Sequence, residues 1–240
     1  MLFRSLAVTL ILFEHLQNKA QAAQLKEDVI SSYFTGIMAH RIAIKCGVPD
    51  REEGFVCGVF HHLGRMLATY YFFDESAAIA RRIQHGETEH HASRAVLGVS
   101  HEELGIAVAR SWNLPEKIVN SMRHMGETKA VKPGTPDDKL KLTSNLATAL
   151  CRIASETGPA RKTAELAALK RQYGATLSLD KDQLAEVVDD SIKEFLTESA
   201  LFVTNTGQSR VLQAITCWSA GDNVASAADG AAAEIGRAHV

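Results

Sequence analysis

Leu97-Gly98-Val-Ser100-His101-Glu-Glu103-Leu-Gly105-Ile-Ala-Val-Ala-Arg110-Ser-Trp112-Asn-Leu-Pro115-Glu-Lys117-Ile118 is the stretch that decides the reading of this chain. Ser100-His-Glu-Glu103 has the spacing of a capping box, in which a serine hydroxyl and a glutamate three residues on satisfy each other's backbone N–H groups. It predicts a helix from His101 to Trp112. Pro115 suits the first turn of the next helix, where its missing N–H is harmless, and that helix should end near His124 to Gly126. Trp112 and Pro115 read most simply as packing and helix-start residues.

Upstream lies Gly54-Phe-Val-Cys57-Gly58-Val-Phe-His61-His62-Leu-Gly64-Arg65. Asp50-Arg-Glu-Glu53 again has capping-box spacing, and opens a helix expected to carry both histidines. Gly54 and Gly58 fall one turn apart on one face, where glycine costs about 1 kcal/mol against alanine, so a close helix contact is expected there. Leu25 to Cys46 is a long helical pattern ended by Gly47 and Pro49. Downstream, Arg81 to Glu89 is polar and reads as a surface crossing, and Glu127 to Asp138 reads as a loop. Lys139 to Glu156, Ala164 to Tyr173 and a stretch from Asp180 to about Thr204 read as helices, with a short one around Val211 to Trp218. Gly221 to Val240 is too poor in large apolar residues to offset its ordering entropy and is expected to be disordered. No alternating β pattern appears, so the fold class is all-α.

The chain has 240 residues, 46% hydrophobic and 22% charged, with a formal net charge of -2. That charge supplies no long-range attraction for nucleic acid or acidic membranes, and neither is expected as a partner. Cys46, Cys57, Cys151 and Cys217 form no CxxC and read as small buried hydrophobes in a reducing compartment. Met1 to Phe13 with Ala20-Gln-Ala22 resembles a short signal peptide. The polar run from Glu14 to Lys19 argues against it, and Leu6, Leu10, Phe13 and Leu16 recur at helical spacing. A cytoplasmic location is expected.

Val56-Cys-Gly58-Val-Phe-His61-His62-Leu-Gly64-Arg-Met-Leu resembles the "GLLHDIGKL" helix of the HD superfamily. Leu97 to Ile118, followed by His124, resembles the "G..H...G..L...W.LP..I.....HH" signature of HDOD domains, a bacterial regulatory branch related to the HD and HD-GYP phosphohydrolases. Phe3 to Leu10 resembles a helix in the middle of such domains. The resemblance implies a helical bundle with an HD-like core over residues 1–157, a C-terminal helical extension over 158–205, and a short helix and tail over 206–240. It also implies a further helical half ahead of Met1, whose absence would make this chain a fragment, a late start or a degenerate copy with unpartnered first helices.

Active HD enzymes bind one or two divalent metals through a His, a His-Asp pair and a later Asp, because carboxylates neutralise the ions while imidazoles fix their geometry. By resemblance the first His falls at Ser31, the paired His at His61, its Asp at His62, and the final Asp at Asn145. The carboxylates of those positions are gone, so a bimetallic phosphodiesterase centre is not expected. His101 and His124 match positions that supply further ligands in the HD-GYP branch. With His61 and His62 they would form a nitrogen-rich site suited to zinc, nickel or copper. The alternative is that these histidines knit helices together, with Gly58, Gly64, Gly105, Trp112 and Pro115 as structural residues. Arg110, Lys117 and Arg123 read as a solvated face, and His85, His90 and His91 as surface residues.

The leading expectation is therefore a non-catalytic signal-transduction module contacting another signalling protein or a second copy of itself. It has no expected cofactor, although a divalent transition metal remains open. The first alternative is a metal-dependent phosphohydrolase acting on a nucleotide or cyclic dinucleotide. The second is a nucleotide-binding sensor without catalysis.

Overall fold

The computed structural model describes residues 18–125, 132–156, 159–199 and 209–218. Every element among them is helical, giving the all-α bundle expected from the sequence. The helices are α1 (Lys19–Lys45), α2 (Arg51–Phe60), α3 (Leu63–Tyr71), α4 (Phe73–Gln84), α5 (Glu89–Leu97) and α6 (His101–Ser111). They continue as α7 (Glu116–Ser121), α8 (Pro136–Glu156), α9 (Pro159–Leu169), α10 (Ala175–Leu177), α11 (Lys181–Ser199) and α12 (residues 210–218). The expected amphipathic helix between Leu6 and Leu16, the signal-peptide alternative and the tail from Gly221 lie outside the described residues.

α1 is the axis of the bundle. Asn18 caps it, its side chain accepting from Ala20 and Gln21 N–H at 3.0 and 3.1 Å. Ser32 to Ala39 are all buried, the pattern of a helix covered on every side. α2, α8 and α11 supply that cover. Phe34, Met38 and Ile42 meet Leu146, Leu150 and Ile153 of α8, Val187 and Phe195 of α11, and Leu212, Ile215 and Trp218 of α12 in one core. The C-terminal helices thus share their apolar interior with α1. A smaller cluster of Leu63, Ile106, Ala109, Val119 and Met122 joins α3, α6 and α7.

Local signals account for most boundaries. The Ser100–Glu103 capping box is complete at α6. Asp50 caps α2 by accepting from Glu52 and Glu53 N–H, but Glu53 turns away to an ion pair with Lys117. That pair removes Lys117 from the expected solvated face. The crossing predicted over Arg81 to Glu89 shrinks to residues 85–88. α4 runs on to Gln84, its acidic first turn and basic last turn matching the helix dipole, and Thr88 caps α5. α8 starts earlier than the loop reading allowed, because Thr135 and Asp138 cap it reciprocally. Gly174 does not stop the helix after α9. The chain passes it in a π turn (Lys170–Gly174) and leaves only at Ser178, with φ +57.

Two further expectations are corrected. Trp112 is 55% exposed, because it lies past the last turn of α6 and the chain turns at Asn113 with φ +55. Leu114 packs on the small cluster in its place. Cys57 and Cys151 are buried as expected, but Cys46 is half-buried and Cys217 exposed, since α12 turns Leu212, Ile215 and Trp218 inward instead. No helix among the described residues is long and apolar enough to cross a membrane.

The contact that places the site is the crossing of α3 and α6. A Cβ on Gly64 would collide with the His101 carbonyl oxygen and stand 2.9 Å from the Gly105 nitrogen. Gly58 also lies close on α1, 2.7 Å from the Thr35 carbonyl by the same measure. Gly64→Ala should therefore destabilise the protein by about 3 kcal/mol or more, since backbone must move. At Gly134 an added Cβ meets nothing nearer than 3.6 Å, and Gly134→Ala should stay within about 0.5 kcal/mol. Urea denaturation of both variants beside the parent checks the contrast.

Candidate functional site

His61 and His62 do not lie inside a helix. α2 ends at Phe60, and the two histidines form the turn into α3. The cause is local. The buried Ser32 hydroxyl of α1 donates to the Val59 carbonyl at 3.0 Å, and the His62 N–H reaches the same oxygen. The turn aims His62 at α1, where its Nε2 stands 2.9 Å from Thr35 Oγ1. Thr35 already spends its single proton on the Ser31 carbonyl at 2.8 Å. A hydroxyl has one proton, so His62 Nε2 carries a hydrogen and donates it. Burial, then the neighbouring Arg65 charge, lower the His62 pKa to about 3.

Arg65, one turn along α3, grips Glu89 at the start of α5. Its Nε and Nη2 donate to the two carboxylate oxygens at 3.0 and 2.6 Å. His101 Nδ1 lies 2.7 Å from Glu89 Oε1. Burial opposes ionisation of Glu89, but Arg65 and these hydrogen bonds outweigh it and hold the carboxyl well below its usual range. An ionised carboxylate only accepts, so His101 carries its hydrogen on Nδ1. Its Nε2 is buried without a partner.

A second carboxylate, Asp28 of α1, is 3% exposed. It accepts from Thr69 Oγ1 at 2.6 Å and from Gln24 Nε2 at 3.2 Å. Burial raises its pKa, against the pull of Arg65.

The remaining candidates are dispersed or already engaged. Both His61 ring nitrogens are buried without a partner. Its ring meets the exposed His124 ring edge-on at 4.8 Å, and burial, then His124, hold its pKa well below the ordinary value. The backbone of His124 donates to Glu102. Asn145 is tied to main chain throughout: its amide donates to the Arg123 and Lys141 carbonyls, and its oxygen accepts from Met125 N–H. Ser31 contributes its carbonyl to Thr35 and to the Cys151 thiol. His85, His90 and His91 are exposed, as expected.

Asp28, Ser31, His62, Arg65, Glu89, His101, His124 and Asn145 all line one open cleft of about 1510 Å³. Sequence reasoning found its histidines and its amide but missed Asp28, Arg65, Thr69 and Glu89. Asp28 did carry a signal, since it falls on the buried stripe of α1 with Leu25 and Val29. Glu89 carried none.

These residues do not fit the one- or two-metal centre implied by the HD resemblance. The Nε2 of His62 is a donor, Asn145 is consumed by backbone, and Glu89 is taken by a guanidinium. No three His, Cys, Asp or Glu side chains among the described residues are placed to hold an ion.

This is a helical domain with histidines, carboxylates and an arginine lining one cleft, and a family model for the HDOD domain matches residues 2–128. The chain belongs to the HDOD domain family, within the HD superfamily. It is 28% identical over 96 residues to an uncharacterized protein of Treponema pallidum (strain Nichols), a match covering 38% of this chain and 18% of that protein. A solved structure from Shewanella amazonensis SB2B, provisionally named a phosphohydrolase, is similar at TM-score 0.46 and 17% identity. That likeness covers 78% of this chain and 62% of the Shewanella chain. This chain thus spans less than two thirds of either protein.

The buried imidazoles make stability pH-dependent. The pKa of His62 is lower in the folded than in the unfolded chain, so between about pH 6.5 and pH 3 the unfolded chain binds more protons. Stability contributed by His62 is complete above that window and is lost as pH falls through it. From pH 6.5 to 4.5 the loss for this one residue should be about 2 kcal/mol. Asp28 acts in the opposite sense, so the measurement is a difference: denaturant unfolding of the parent and His62→Gln across this range, with the slope flatter in the variant.

Proposed function

We propose that this chain is a non-catalytic regulatory module that works through protein contacts, with another signalling protein or a second copy of itself. The observation that carries the reading is the use to which the site is put. His62 Nε2, His101 Nδ1 and the Asn145 amide are engaged by Thr35, Glu89 and main chain, and an arginine stands beside the carboxylate a metal would need. Groups committed in this way hold α1, α3, α5, α6 and α8 together and leave no activated water or nucleophile.

A surface suited to protein contact supports the same reading. Tyr70, Tyr71 and Phe72, where α3 turns into α4, are 43%, 67% and 45% exposed. Clustered exposed aromatics of this kind favour protein interfaces.

The direct test is elemental analysis of protein purified without a metal-affinity tag, followed by hydrolysis assays on nucleoside phosphates and cyclic dinucleotides with added Mn2+ or Zn2+. The expected result is metal far below one equivalent and no turnover above buffer. Stoichiometric metal, or turnover abolished by both a chelator and His61→Ala, would establish the hydrolase alternative.

A second reading, nucleotide binding without cleavage, is favoured by the cleft itself. Arg81, Arg171 and Arg210 line it from α4, the π turn and α12, and arginines are the usual partners of phosphate. Calorimetry against a nucleotide panel separates the two: heat that disappears in Arg171→Glu/Arg210→Glu supports the sensor, and no heat supports contact-only signalling.

A further inference from the structure

We propose that Arg65 is the resident cation of this site, supplying the positive charge that its carboxylates would otherwise take from a divalent ion, and so keeping metal out. The inference rests on the non-catalytic reading above and gives it a physical cause.

Three observations converge. First, Arg65 is the hub of the polar cluster. It binds both oxygens of Glu89, and its charge acts on Asp28 and His62. Second, Asp28 is almost completely buried, and its side-chain hydrogen bonds come from neutral Thr69 and Gln24. A buried carboxylate needs compensating charge, and Arg65 is the larger of the two charges, ahead of His101, that favour its ionised form against burial.

Third, His101 has the arrangement of a metal ligand without the metal. Its Nδ1–H donates to a carboxylate and its Nε2 is buried and unpartnered. A carboxylate on one imidazole nitrogen and an ion on the other is the usual way such ligands are oriented. With Arg65 gone, Glu89, Asp28 and His101 would present two carboxylates and an imidazole nitrogen to the same cleft, a donor set whose chemistry suits a divalent first-row ion once the side chains move together.

The experiment is titration of tag-free protein with Co2+, followed by calorimetry and visible absorption, for the parent, Arg65→Lys, Arg65→Gln and the double variant Arg65→Gln/Glu89→Gln. Exposed histidines such as His90 and His91 give a background common to all four. Arg65→Gln should bind one further Co2+, at least tenfold more tightly than that background, with new visible absorption. The extra site should be absent from the parent, from Arg65→Lys and from the double variant. At Co2+ about a hundredfold above its dissociation constant, the melting temperature of Arg65→Gln should rise by roughly 5–10 °C.

Folded Arg65→Gln that binds no more Co2+ than the parent overturns the proposal and leaves the non-catalytic reading standing. A parent that itself holds stoichiometric metal sinks both. If Arg65→Gln does not fold, the double variant decides. Removing both partners of a charged pair costs less than removing one, so the double variant should regain stability, and equal destabilisation of the two would overturn the proposal.

Discussion

Everything at the centre of this protein depends on how closely α3 approaches α6. With no side chain at Gly64 or Gly105, backbone lies against backbone at that crossing, and the His101 carbonyl occupies the space a Cβ would need. The consequence is positional. His62 and Arg65 flank Gly64, and His101 begins α6, so one close contact brings an imidazole, a guanidinium and a second imidazole together. Ser32 adds a second constraint by holding the Val59 carbonyl, and the α2–α3 turn then delivers His62 to Thr35. The polar cluster follows from these two backbone constraints, and the apolar cores on either side hold it in place.

The chemistry of the cluster follows from where its protons are. Thr35 and Glu89 fix opposite tautomers on His62 and His101, one donating through Nε2 and the other through Nδ1. Hydrogen bonds made in a buried site are stronger, and leaving them unmade is costly. The burial that holds the His62 pKa down to about 3 also excludes it as a proton donor near neutral pH.

Much of this fold was legible in the sequence. The Ser100–Glu103 box, the Asp50 cap, Pro115 near the start of α7 and the apolar periodicity of α1 and α8 all act locally, and each placed an element within a few residues. The histidines, Gly64 and Gly105 were legible as motif residues. What escaped detection was non-local. Glu89 reaches His101 and Arg65 only because the turn between α4 and α5 sets the start of α5 beside α3 and α6, and no spacing in the sequence encodes that. Trp112 looked like core because tryptophan usually is, yet a left-handed residue at Asn113 turns the chain so that Leu114 takes the buried place. His61 and His62 looked helical because the pattern around them is. Their break comes from a serine 27 residues before Val59 on another helix. The carboxylates appeared lost because the resemblance tracks positions, whereas charge in the folded site is supplied by residues from elsewhere in the chain.

The most direct measurement is long-range 1H–15N correlation spectroscopy of the imidazole nitrogens at neutral pH, before and after addition of Zn2+. The expected result is a hydrogen on His62 Nε2 and on His101 Nδ1, with neither signal moved by zinc. Opposite tautomers, or zinc-dependent shifts at the Nε2 of either residue, would show that these imidazoles are free to take a metal and would contradict it.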